Sequence, residues 1–270
     1  MSVVAITGSH PRHVYLVQGL AAVGLISGWV VDERENFVPE PPEHLSDRLK
    51  ALFALHFERR EKAEERFFGL SAPEDLGTVD KIVVERQALN GSGTIDFLAR
   101  HKPQLVMSYG CGLISEETIQ ATDATFLNAH GGLSPDYRGA ITHFWPSYML
   151  EPQMTGMTLH EVTRKIDGGD IYHQTGVSLV EGDGLHDISA RAVKEFADGL
   201  VEVLSAILGH DECPPGQQQK SAGRLWTKSL WRPEHLQPIY EEFEDRIVDR
   251  VIDGTLEGRE PKLISIDDFV

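Results

Sequence analysis

Apolar residues in this chain come as short unbroken runs, separated by longer stretches with a helical rhythm. Val3 to Thr7 is a largely β-branched run that stops at Gly8, the pattern of a strand buried on both faces. It returns at Leu25 to Val31, Lys81 to Val84 and Gln104 to Ser108. Between these runs, Tyr15 to Leu20, His44 to Phe68 and Thr94 to Arg100 place apolar residues three and four apart, as helices do. Glu33 to Pro42 is polar and proline-bearing and reads as a loop. Strands alternating with helices predict an α/β fold, a doubly wound and mostly parallel Rossmann-like sheet. Ligands of such sheets sit in a crevice at the carboxyl ends of the strands.

Further along, Leu185 to Leu208 carries Ile188, Val193, Phe196, Leu200 and Leu204 on one helical stripe, expected to close the core. Cys213-Pro214-Pro215-Gly216 then breaks the chain, and Gln217 to Gly223 reads as a linker. This divides the sequence into a catalytic domain, 1–210, and a small C-terminal extension, 211–270, partly helical between Pro233 and Ile252. No internal repeat is evident.

Composition narrows the function. A chain of 270 residues with 41% hydrophobic residues and a net charge of −17 has the makeup of a soluble globular protein. No stretch is apolar enough to cross a bilayer, and the N-terminus runs straight into a strand pattern without a signal-peptide core. Two cysteines, Cys111 and Cys213, point to a reducing cytoplasm rather than a disulfide framework. The acidic balance repels phosphate backbones, so no nucleic acid and no membrane is expected as partner. The histidines lack metal-site spacing, so no metal is expected.

Chemistry concentrates between Phe126 and Tyr172. Phe126-Leu127 is a short apolar run that delivers Asn128 and His130 to the same face at a strand end. Thr158 to Val162 is a second strand-like segment, leading through a charged loop to Asp167-Gly168-Gly169. An amide, an imidazole and a carboxylate at strand ends can polarise a carbonyl and move protons around it. Upstream, Gly8-Ser9-His10-Pro11-Arg12-His13 forms a glycine-bearing strand-to-helix turn, which reads either as an ordinary connection or as a seat for substrate phosphates.

Asn128-x-His130, the Pro-x-x-Arg-Gly element at Pro135 to Gly139, Thr158-x-His160 and Ile166-Asp167-Gly168-Gly169 together resemble the folate-dependent formyltransferases. The chain departs from the common pattern after the histidine, with Gly132-Leu133-Ser134-Pro135 where many members have Ser-Leu-Leu-Pro. The resemblance implies Asn128, His130 and Asp167 as catalytic residues and N10-formyltetrahydrofolate as formyl donor. It implies that Tyr109, Gly110, Cys111, Gly112 and Leu113, with Thr163, Arg164, Lys165 and Ile166, grip the pterin. Tyr137-Arg138-Gly139 and Phe144-Trp145-Pro146 most resemble branches acting on nucleotide-linked amino sugars for surface polysaccharides. On that reading Gly8, Ser9, His10, Arg12, Arg138 and Trp145 meet the acceptor, with a homodimer as one possible assembly. The alternatives are a formyltransferase for another small amine, such as glycinamide ribonucleotide or an amino-acid derivative, and a folate- or nucleotide-binding protein without turnover.

Overall fold

A computed structural model describes residues 2–33, 38–70, 72–210 and 212–268. Positions 34–37 of the expected loop, and 211, 269 and 270 of the expected extension, lie outside the described residues. β1 (Val3–Gly8), β2 (Ile26–Glu33), β3 (Lys81–Glu85), β4 (Leu105–Tyr109) and β5 (Thr125–His130) pair in parallel. After the two-residue β6 (Arg138–Gly139), β7 (Gly156–Glu161) joins β5 antiparallel, and β8 (Ile171–Gly176) joins β7 in the same sense. Among the described residues this makes one seven-stranded sheet, ordered β3-β2-β1-β4-β5-β7-β8, with β9 (Leu225–Trp226) paired to β6 in a separate ribbon. The order reverses direction between β1 and β4, so a crevice opens at their carboxyl ends.

The helices are α1 (Pro11–Ala22), α2 (Asp47–Phe68), α3 (Ser92–His101), α4 (Glu116–Gln120), α5 (Trp145–Tyr148), α6 (Leu185–Leu208) and α7 (Ile247–Ile252). Because every position of β1 is buried, its alternating side chains feed two cores. Val3 and Ala5 pack with Trp29, Met107 and the apolar stripes of α1 and α6, while Val4 and Ile6 pack with Val30, Phe97 and Leu98 against α3. Helices thus cover both faces, the doubly wound arrangement that the alternating pattern predicts.

Local chemistry sets the helix ends. Proline at the first position starts α1, Ser46 Oγ caps α2 by accepting from Leu49 N, and Gly69, at φ 68°, ends it. The stripe on α6 is buried throughout, so Leu200→Ala, at a fully enclosed position, would cost roughly 2–5 kcal/mol.

Two features differ from the sequence expectation. The strand read at Thr158 to Val162 runs Gly156–Glu161, and Val162 N instead reaches Phe126 O at 2.9 Å. β8 was not expected, since Tyr172-His173-Gln174-Thr175 lacks an apolar run. Its polar residues are answered individually: Gln174 Nε2 donates to Ser134 O at 2.7 Å and to Thr158 Oγ1 at 3.1 Å.

The chain after α6 is laid over the core. Gln217 and Ile171 exchange backbone hydrogen bonds at 2.7 and 2.8 Å, Trp226 stacks on Trp145, and Ile264 O accepts from Gln174 N at 2.7 Å. The predicted helicity between Pro233 and Ile252 resolves into short turns and α7. No helix among the described residues is long and apolar enough to cross a membrane.

Candidate active site

β5 and β7 are register partners, and their pairing sets Asn128 opposite His160 and His130 opposite Thr158. The turn after β7 brings back Asp167, whose φ of 47° lies in the left-handed region that Asp tolerates better than most residues. Gly169 makes that turn possible: a Cβ there would lie 2.0 Å from Glu161 O. Two imidazoles from different strands, His130 and His160, therefore converge on one carboxylate, with Asn128 beside His160.

Asp167 Oδ2 accepts from Gly139 N at 2.7 Å and lies 3.5 Å from His130 Nδ1, while Oδ1 lies 3.4 Å from His160 Nε2. Burial raises the Asp167 carboxyl, but the polar contact with His160, the neighbouring imidazoles and the Gly139 N–H outweigh it and hold the group below the usual carboxylate range.

His130 is 6% exposed, and burial pushes its imidazole below the ordinary value, with Asp167 opposing. Its Nε2 lies 2.7 Å from Tyr137 O. A carbonyl only accepts, so Nε2 carries the proton and Nδ1 of the neutral ring presents a lone pair towards Asp167. By the same logic His160 Nδ1 donates to Glu161 O at 2.8 Å, and Nε2 is left to accept from Asn128 Nδ2 at 3.2 Å. Ser108 Oγ, which also lies 3.2 Å from Leu127 O, donates to Asn128 Oδ1 at 2.9 Å and so supports the orientation in which the NH2 turns to His160.

The two loops expected to hold a pterin are brought together. Tyr109 ends β4, buried, and Gly110 turns the chain at φ 62°, where a Cβ would meet the His13 ring at 2.3 Å. Gly112 N donates to Asp32 Oδ2 at 2.8 Å, and Cys111, half-buried, packs against the core that holds Val4, Ile6 and Phe97. Arg164 Nη2 reaches both oxygens of Glu116, at 2.7 and 2.9 Å, tying the Thr163 to Ile166 loop, with Lys165, to the helix after Leu113. Leu113 and Ile166 stand 82% and 50% exposed. Exposed apolar side chains on two joined loops, with backbone N–H and C=O groups between them, suit a flat heterocycle.

At the crevice between β1 and β4 lies a cavity of about 420 Å³. His10 and Arg12 line it, beside the turn formed by Gly8 and Ser9, but Arg12 and His10 both face Glu64, so a carboxylate of α2 already meets part of this turn's positive charge. Arg60 and Lys228 add cationic lining. Arg138 is half-buried on β6, near Gly168, outside the cavity wall. Trp145, expected to meet the acceptor, is 2% exposed, stacked 4.5 Å from Trp226, and donates to Ala140 O at 3.3 Å; it backs Phe144, which does line the cavity. A more open hollow of about 650 Å³ beside β8 and Leu263 contains none of the clustered side chains.

Two groups were missed as site members. His160 and Ser108 complete the Asn128 network, and the signal for His160 was its place opposite Asn128 in an antiparallel pair. His56, His143 and His186 reach the cavity from three separate segments, a convergence no local spacing reveals.

A model of the formyl transferase family matches residues 56–204, more than half of the chain. The chain is 35% identical over 96 residues to a bifunctional polymyxin resistance protein from Wigglesworthia glossinidia brevipalpis, covering 35% of this chain and 14% of that protein. It spans about half, or less, of the length of the curated relatives it matches. Among solved structures, it resembles a sugar N-formyltransferase from Shewanella (TM-score 0.51, 15% identity, 85% of this chain and 77% of that one). It also resembles a phosphoribosylglycinamide formyltransferase from Anaplasma phagocytophilum (TM-score 0.54, 17% identity, 84% and 97%). At these identities the structural likeness is one of fold.

Proposed function

The chain belongs to the formyl transferase family, and from that premise we propose that it transfers a formyl group from N10-formyltetrahydrofolate to the primary amine of a nucleotide-linked amino sugar. The observation that carries the reading is the Asp167 carboxylate, set between His130 and His160 with Asn128 fixed beside them. The donor supplies a formyl carbon bound to nitrogen and open to attack by an amine. The loops at Tyr109 to Leu113 and Thr163 to Ile166 would hold its pterin.

In this account the second Nδ2 hydrogen of Asn128 is offered to the oxygen that gains negative charge, in an orientation set by Ser108 and His160. His130 Nδ1, with Asp167 beside it, accepts the proton lost by the attacking nitrogen, directly or through water; as the bond from the formyl carbon to N10 of the donor breaks, that proton passes on to N10 and tetrahydrofolate leaves. The imidazolium so formed would donate through Nε2 to Tyr137 O and through Nδ1 to Asp167, so both of its N–H groups are answered. In this account the histidine works as a base.

The sugar acceptor is supported by the Shewanella neighbour's name and by the Arg60 and Lys228 lining near the strand ends. The net charge of −17 disfavours a tRNA. Two free cysteines suit a cytoplasmic setting. Incubation with N10-formyltetrahydrofolate and a panel of nucleotide-linked amino sugars, with glycinamide ribonucleotide in parallel, should release tetrahydrofolate with one of the sugars. Release with glycinamide ribonucleotide alone, or with no acceptor, would overturn the assignment.

A further inference from the structure

We infer that Gln219, in the segment that follows α6, is a positioning residue for the reaction proposed above, holding the Asp167–Gly169 turn and with it the carboxylate between His130 and His160. The inference rests on that functional reading. Gln219 Nε2 donates to Asp167 O at 2.9 Å and to Gly169 O at 2.8 Å, so one amide nitrogen spends both hydrogens on the two carbonyls that flank Gly168. Its Oε1 is buried with no hydrogen-bond partner among the described residues. Turning the amide over would set an oxygen against two carbonyl oxygens, so the nitrogen must face the turn whatever becomes of Oε1.

The reach is built into the backbone. Gln217 pairs with Ile171 through two backbone bonds at 2.7 and 2.8 Å, which anchors the segment alongside the first residue of β8 and aims Gln219, two residues on, at the turn. Among the described residues, Ser134 Oγ, at 3.4 Å, is the other side chain that donates to Asp167 O, and that contact is long. Asp167 holds a positive φ, so its turn has few alternatives that keep the carboxylate in place and many that do not. A segment that reads from sequence as a polar linker thereby becomes part of the site.

The test compares wild type with Gln219→Leu, which keeps the bulk and removes the donors, and with Gln219→Glu, which keeps the shape and presents only acceptors. Both should lower kcat by about 10- to 100-fold, as expected when a catalytic group is displaced by about an ångström, with KM for donor and acceptor within about threefold. The imidazole ¹⁵N resonances of His130 should shift in the variants while those of His143, held on Gly156 O, stay in place. Wild-type kcat together with unmoved His130 resonances in both variants would overturn the inference. An inactive wild type would instead count against the formyl-transfer reading, and the His130 resonances would still decide the role of Gln219.

Discussion

Of the two hydrogens on Asn128 Nδ2, one has a hydrogen-bond partner among the described residues, His160 Nε2 at 3.2 Å. The other is free for a substrate oxygen, and its direction depends on Ser108, which is 2% exposed and holds Oδ1. Without that hydroxyl, only His160 Nε2 distinguishes the two ends of the amide. Ser108→Ala should therefore lower kcat by roughly 3- to 10-fold and stability by about 1 kcal/mol, the worth of one buried hydrogen bond. Steady-state kinetics beside thermal melts would check this, and an unchanged kcat would remove Ser108 from the account. At this scale the sequence was readable where residue type decides chemistry: Asn128, His130 and Asp167 were named from the motif, and the structure clusters them. Tautomers were not readable, because they depend on Tyr137 O and Glu161 O, backbone groups whose position only the fold sets.

Strands buried on both faces betray themselves by apolar runs, so β1, β2 and β4 were legible. β8 was not, because its burial is balanced by hydrogen bonds from Gln174 rather than by apolar content. The turn joining β7 to β8 was legible as glycine-rich, but the reason for Gly169 was not. A methyl group there would sit 2.0 Å from Glu161 O, beside the point where Glu161 N donates to Asp170 O at 2.9 Å. Gly169→Ala should displace the turn and Asp167 with it, costing about 1–3 kcal/mol of stability and on the order of 100-fold in kcat. Chemical denaturation together with turnover would show this; a variant as stable and as active as wild type would mean the turn does not position the carboxylate.

Across the whole molecule, several histidines are enclosed in neutral form. Burial, with the Arg60 charge, brings His56 to about 3. Burial and the Arg12 charge bring His143 to about 3, and His130 and His186 are lowered too. An unfolded chain would protonate these groups below its ordinary value of about 6.5 while the folded one would not, so stability is lost as pH falls through that value. His56 and His143 together should cost about 4 kcal/mol between pH 7 and pH 5, at about 1.4 kcal/mol per unit each. Asp167, held low in the fold, adds a loss in the same direction as pH approaches its folded value, whereas Asp245, pushed up by burial, works against it. Melting temperature should fall steeply from pH 7 to pH 5, with net proton uptake on unfolding; a flat profile would show that these imidazoles are charged or exposed. None of this was evident from spacing, since His56, His143 and His186 come from α2, the loop before α5, and α6.

Everything converges on whether Asn128 and His130 act on the formyl group. Single-turnover transfer from N10-formyltetrahydrofolate, measured for wild type, Asn128→Ala and His130→Ala alongside equilibrium binding of the donor, separates catalysis from binding. The account predicts donor affinity within a few-fold of wild type and a rate lower by about 10²–10³ in Asn128→Ala, with a comparable or larger loss in His130→Ala. A folded His130→Ala protein that transfers the formyl group at nearly the wild-type rate would contradict it.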